Sequence, residues 1–190
     1  MRWPVFFLFV YLAMAFEQGL GNLLEIKRVN PSFLLIVGAF IAISAPPKAV
    51  VWSSLTLGLL SDLIHPLQLA GLADVTIIGP SCIGYLAGGY VAVQLRGLMF
   101  RDSPLTIGLM VVAMGTFAHL IIVVALTVRG LPFMPGDPVI GWHAADQLLR
   151  RFFILMYTAV LALPIGFALL RTDSLWGFPS VMGYRRLRRT

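Results

Sequence analysis

The sequence predicts an all-α integral membrane protein, a compact bundle of about six transmembrane helices forming one domain. Three observations carry that expectation. Of 190 residues, 59% are hydrophobic and only 12% are charged, whereas a soluble domain carries about a quarter of its residues as charges. Mean hydropathy is +0.91. The apolar residues fall in six runs joined by short connections, and six helices of about 20 residues each leave no room for a soluble domain.

The first run, Trp3 to Leu20, follows Met1-Arg2 and contains Ala13-Met14-Ala15. That pattern has the shape of a secretory leader with a small-residue cleavage site, and it also fits a retained first helix. The helix is favoured, because Trp3-Pro4 stands at an interface-like position and many spans follow. The second and third runs, Phe33 to Ala45 and Ala49 to Ile64, are short and flank Pro46-Pro47-Lys48. Two prolines interrupt the helical hydrogen-bond ladder, and a lysine is costly at the bilayer centre. The pair therefore reads as a helical hairpin with a tight turn; the rival is one long kinked helix and five spans. Val75 to Leu95, Leu105 to Val128 and Phe152 to Leu170 are of spanning length. After the last run come Trp176-Gly177-Phe178-Pro179, which reads as an interfacial aromatic anchor, and a basic tail.

The net charge is +6 and the pI about 10.1. The basic residues lie between or after apolar runs, where they set orientation and meet anionic lipid; nucleic acid is not an expected partner. With six spans, Arg2, Lys48, Arg96, Arg101, Arg171, Arg185, Arg186, Arg188 and Arg189 share the side of both termini, against Lys27, Arg28, Arg129, Arg150 and Arg151 opposite. Both termini are then cytoplasmic. The tail residues Arg185, Arg186, Arg188 and Arg189 favour an anionic membrane surface over an acidic partner, since each cation near such a surface is worth about 1 kcal/mol.

Little in the chain points to catalysis, and no enzyme activity, cofactor or metal is expected. A single cysteine, Cys82, excludes an intrachain disulfide and multi-cysteine metal sites. Of the metal-ligating types Asp62, His65, Asp74, His119 and His143, only Asp62 and His65 have ligand-like spacing. Gly79-Pro80-Ser81-Cys82-Ile83-Gly84 places a serine between glycines, but a nucleophile needs a base held against it, and His119 stands alone on another run. No phosphate-binding or dinucleotide fingerprint is present. The third run ends Gly58-Leu59-Leu60-Ser61-Asp62-Leu63-Ile64-His65-Pro66. Helical spacing puts Gly58 and Asp62 on one face, as it does Ser61 and His65. A carboxylate near the end of a membrane helix is a functional candidate by default; the alternative is that Asp62 hydrogen-bonds the neighbouring loop, and the sequence leaves both open. Gly84 and Gly88 form a small-xxx-small face, which favours packing within the chain over a partner helix.

The stretch Gly58-Leu59-Leu60-Ser61-Asp62-Leu63, then Leu69-Ala70-Gly71, then Ile83-Gly84-Tyr85-Leu86 resembles the MreD family of rod shape-determining proteins. That family carries a Gly-x-x-x-Asp-Leu signature at the end of a central helix, a glycine about nine residues later and a helix with a tyrosine. Gly58, Asp62 and Gly71 are the matching positions, and the likeness is best over Ser53 to Ser103. The proline-rich stretch from Arg129 to Gln147 is longer than the family pattern. The resemblance implies a non-enzymatic inner-membrane scaffold of the bacterial cell-elongation machinery, with a single-span MreC-like protein, an MreB-like filament, and a RodA and penicillin-binding-protein synthase as partners. MreD-like proteins also look similar in fold to the substrate-binding S components of vitamin transporters, which supplies the alternative of a small-molecule-binding membrane subunit.

Overall fold

The computed structural model describes residues 1–19, 29–65, 67–68, 74–98, 103–129 and 143–178. Among them, the main helices are α1 (Trp3–Gly19), α2 (Phe33–Ser44), α3 (Pro47–Ile64), α4 (Pro80–Leu95), α5 (Pro104–Arg129) and α6 (Ala144–Arg171). A 3-10 turn, Arg96–Leu98, continues α4, and the one-turn α7 (Asp173–Trp176) follows α6. Between α3 and α4, β1 (Leu67–Gln68) pairs antiparallel with β2 (Asp74–Val75). Three helices open on prolines, Pro47, Pro80 and Pro104; a first-turn proline gives up only an N–H that has no intrahelical partner and presets the helical φ.

Successive helices alternate in direction. A Cβ at Gly38 of α2 would lie 3.2 Å from Leu57 of α3, although ten residues separate Pro47 from Leu57. The chain has therefore folded back on itself at Ala45–Pro46, both extended. It is a hairpin, not a kinked single helix. Gly84 lies against Ala118 and Gly88 against Met114, so α4 and α5 are antiparallel; Gly108 lies against Ala159 and Gly166 against Ile107, so α5 and α6 are too. One end of the bundle joins the start of α1 to α7, through Arg2 N–H donating to the Trp176 carbonyl at 2.8 Å. The opposite end gathers Glu17, Ser32 and Asp62.

The shortest of these helices lies at the centre. All twelve residues of α2 are buried, and it packs against α1, α3, α4, α5 and α6. A helix apolar on every face must be enclosed by its neighbours, and α2 has no polar residue until Ser44. It is about 18 Å long and buried throughout, so the backbone groups at its ends fall inside the protein. Side chains cap both ends. The Leu34 N–H donates to Glu17 Oε2 at 3.2 Å, the Leu35 N–H to Ser32 Oγ at 3.4 Å and the Ser32 N–H to Thr158 Oγ1 of α6 at 3.0 Å. At the other end Arg96 Nη1 donates to the Ala45 carbonyl at 2.6 Å.

The outward faces are apolar as well. Phe7, Leu8 and Tyr11 on α1, Trp52 and Leu55 on α3, Ile83 and Tyr90 on α4, Leu109 and Val124 on α5, and Phe152, Val160 and Phe167 on α6 are all exposed. Among the described residues, α5 and α6 are long and apolar enough to cross a membrane by length and composition.

Three sequence expectations are corrected. The fourth helix begins at Pro80, not Val75, because Val75 pairs in β2 and Gly79 turns the chain with φ +132°. The sixth begins at Ala144, eight residues before Phe152, so Arg150 and Arg151 belong to the helix and not to a loop; Asp146 in its first turn suits the positive end of the helix dipole. Trp176 is no interfacial anchor. It is fully buried, with its ring centroid 4.8 Å from Phe9, 5.3 Å from Phe40 and 5.6 Å from a stacked Phe178. The same contacts make α1 part of the core through Phe6, Val10 and Ala13.

Candidate functional site: a capped polar layer

The Gly58 and Asp62 pair is the sequence feature whose geometry is clearest. Gly58 carries no Cβ, and one built there would lie 2.6 Å from Cys82 Cα and 2.6 Å from the Ser81 carbonyl oxygen. Both are backbone atoms of the first turn of α4, so only glycine lets that turn rest on α3. One helical turn further, Asp62 is buried to 6% exposure. Its Oδ2 accepts the Gly79 N–H at 2.8 Å and its Oδ1 the Ser81 N–H at 3.1 Å. The first N–H groups of a helix have no intrahelical acceptor. A carboxylate is the strongest partner for them, through both charge-assisted hydrogen bonds and the helix dipole. The spacing thus makes one device: the glycine admits the end of α4 and the aspartate caps it.

Glu17 performs the same operation one hairpin earlier. It stands two residues before the end of α1, as Asp62 stands two before the end of α3, and accepts from the N–H seventeen residues ahead, that of Leu34, just as Asp62 accepts from Gly79. Its side chain is 7% exposed and its Oε1 lies 3.8 Å from Nε2 of the exposed His65. His65 Nδ1 lies 3.0 Å from the Ser61 carbonyl. Tyr85 of α4, 3% exposed, brings its hydroxyl to Ser32 and Ser61. Glu17, Ser32, Ser61, Asp62, His65 and Tyr85 therefore form a polar layer that ties α1, α2, α3 and α4 together at the end of the bundle opposite the start of α1 and α7. Glu17 was passed over in the sequence because it sits inside an apolar run; the signal for it was the seventeen-residue spacing to the start of the next helix.

The other candidates separate from this layer. Gly84 and Gly88 face α5 of the same chain, against the Ala118 and Met114 carbonyls, so their small-residue face is filled internally. Ser81 gives its backbone N–H to Asp62. His119 on α5 lies against the backbone of Arg151, with its Nδ1 buried and without a hydrogen-bond partner. Among the described residues no three His, Cys, Asp or Glu side chains converge on a common point. Gly71 and the tail residues Arg185, Arg186, Arg188 and Arg189 lie outside the described residues, as do Lys27, Arg28 and Arg101. Chemically, the layer fixes helix ends in place, and its carboxylates are occupied by backbone N–H groups. Compared with family models, with curated proteins and with solved structures, the chain matches none.

Proposed function

We propose that this chain is a multi-pass protein of the bacterial cytoplasmic membrane, with both termini cytoplasmic, that serves as a non-enzymatic MreD-like scaffold of the cell-elongation machinery. The membrane part of the reading is supported by the apolar outer face of every peripheral helix, since a soluble monomer seldom exposes contiguous apolar area above a few hundred Å². It is supported too by the alternating helix directions, which put Arg2, Lys48, Arg96 and Arg171 at one end. The observation that carries the scaffold reading is the Gly58 and Asp62 device. The two residues that match the family signature join α3 to α4, and both oxygens of Asp62 are taken by backbone N–H groups. A protein without chemistry of its own acts through contacts with partners, and a rigid bundle end offers a fixed surface to an MreC-like single-span protein and, through it, to an MreB-like filament and the RodA and penicillin-binding-protein synthase.

A second reading, a small-molecule-binding subunit akin to transporter S components, is favoured by one observation: a groove of about 740 Å³ along α6, a volume in the range of ligand pockets. Depletion in the bacterium that carries the protein distinguishes the two. The scaffold reading expects rounded cells or misplaced wall synthesis that added vitamins do not reverse; rescue by a single nutrient overturns it in favour of transport.

A further inference from the structure

Arg151 is a cation on the buried face of α6. That face runs Leu155, Thr158, Ala162, Gly166 and Leu169, and Arg151, one helical turn before Leu155, continues the stripe. Gly115 of α5 rests on Leu155. One turn further along this antiparallel pair His119 therefore comes to Arg151, and it lies against the backbone there. Ala118 faces Gly84, which brings Tyr85 of α4 to the same level, its hydroxyl within electrostatic reach of the guanidinium. The side chain thus enters the space where α4, α5 and α6 meet.

No countercharge meets it there among the described residues. Nε of Arg151 is buried without a hydrogen-bond partner, as is Nδ1 of His119, and among the described residues no carboxylate pairs with the guanidinium. Both oxygens of Asp62 are taken by the Gly79 and Ser81 N–H groups, and Glu17 turns to Leu34 and His65. A buried charge without a counter-ion is strongly destabilising, and a cation inside a membrane bundle is retained where it meets an ion or a ligand.

We propose that Arg151 is the centre of a binding site for one small monovalent anion, a halide or a short carboxylate. One guanidinium balances one negative charge, and its Nε–H with the neighbouring Nη–H forms a fork that donates to such an acceptor. Leu35 and Leu155, which close on Gly115 one turn away, are apolar and supply no donors for the surplus charge of a dianion. The ion ties α6 to α4 and α5 much as the Asp62 cap ties α3 to α4. The site is distinct from the groove on α6, whose lining residues Leu149, Phe153 and Val160 belong to the exposed face of that helix. It follows from the packing of α4, α5 and α6 and is independent of the scaffold reading.

The test is thermal unfolding of the purified full-length chain in detergent at constant ionic strength, with gluconate exchanged for chloride, acetate or sulfate. Chloride or acetate should raise the melting temperature saturably, by about 5 °C at a hundred times the half-saturating concentration; whichever acts at the lower concentration identifies the ion. Arg151→Gln should abolish the saturable rise, while Arg171→Gln, at an exposed arginine ending the same helix, should keep it. Should Arg151→Gln fail to accumulate, Arg151→Lys retains the charge and loses the fork, and its half-saturating concentration should rise about tenfold, the loss of one charge-assisted hydrogen bond. Melting of the unaltered chain that ignores chloride and acetate, or a rise that the Arg151 variants leave unchanged, overturns the inference. So does a saturable response to sulfate alone that Arg151→Gln removes, since the site then takes a dianion.

Discussion

Asp62, two residues from the end of α3, caps α4 by accepting at 2.8 Å the N–H of Gly79, the residue just before that helix. The bond makes this aspartate a joint between two helices. Its consequences are separable by substitution.

Asp62→Ala leaves the buried Ser81 N–H without an acceptor, at about 1 to 3 kcal/mol, and the half-buried Gly79 N–H as well, at less. Asp62→Asn keeps one acceptor oxygen and should lose less. Thermal unfolding of the purified protein in detergent is expected to order the three as aspartate, then asparagine, then alanine. Equal melting of all three would show the cap to be dispensable. If asparagine fails as badly as alanine, the charge itself is required.

Gly58→Ala places a methyl group 2.6 Å from backbone atoms of Cys82 and Ser81, which cannot yield as a flexible side chain does. Overpacking of this kind costs about 1 to 3 kcal/mol. Gly88→Ile, set against the Met114 carbonyl, should lower the amount of protein in the membrane further. Gly19→Ala, with nothing among the described residues within 4 Å of the added atom, is the matched control and should accumulate normally. Normal accumulation of Gly88→Ile with loss of a copurifying protein would instead assign that face to a partner.

Trp176→Ala removes a fully buried indole from the cluster of Phe9, Phe40 and Phe178, and a loss of about 3 to 5 kcal/mol follows. Because the indole also packs on Phe9 of α1, proteolysis near residue 2 should accelerate in this variant. An unchanged melting temperature would restore the lipid-anchor reading of the tryptophan.

The contrast between Asp62 and Trp176 shows what the sequence can and cannot convey. Asp62 was legible as a residue that either acts or hydrogen-bonds its neighbour, since a carboxylate at a helix end has few other options. The prolines at 46 and 47 marked the hairpin for an equally local reason. Trp176 was not legible. Tryptophan after a long apolar run serves equally at an interface or in a core, and only the arrival of Phe9 and Phe40 from far upstream decides. The central place of α2 is of the same kind: its uniform apolarity signals burial, but which helices surround it is a property of the whole packing. Arg96 combines both cases. Its position suggested an orienting charge, and its guanidinium also closes the end of α2 at Ala45.

The alternation of helix directions gives a topological expectation. Reporter fusions at residues 1, 48 and 178 should sit on one side, and a reporter inserted between α3 and α4 on the other. Opposite signals from the fusions at 1 and 48 would contradict the hairpin as a membrane arrangement.

The scaffold reading is tested most directly by affinity purification of the full-length chain from its own membrane in mild detergent. A single-span protein with a large extracytoplasmic part should copurify in stable proportion, and its yield should fall when Asp62→Ala loosens the α3–α4 joint. Recovery of the chain with ATP-binding subunits, or alone with one tightly held vitamin, would contradict it.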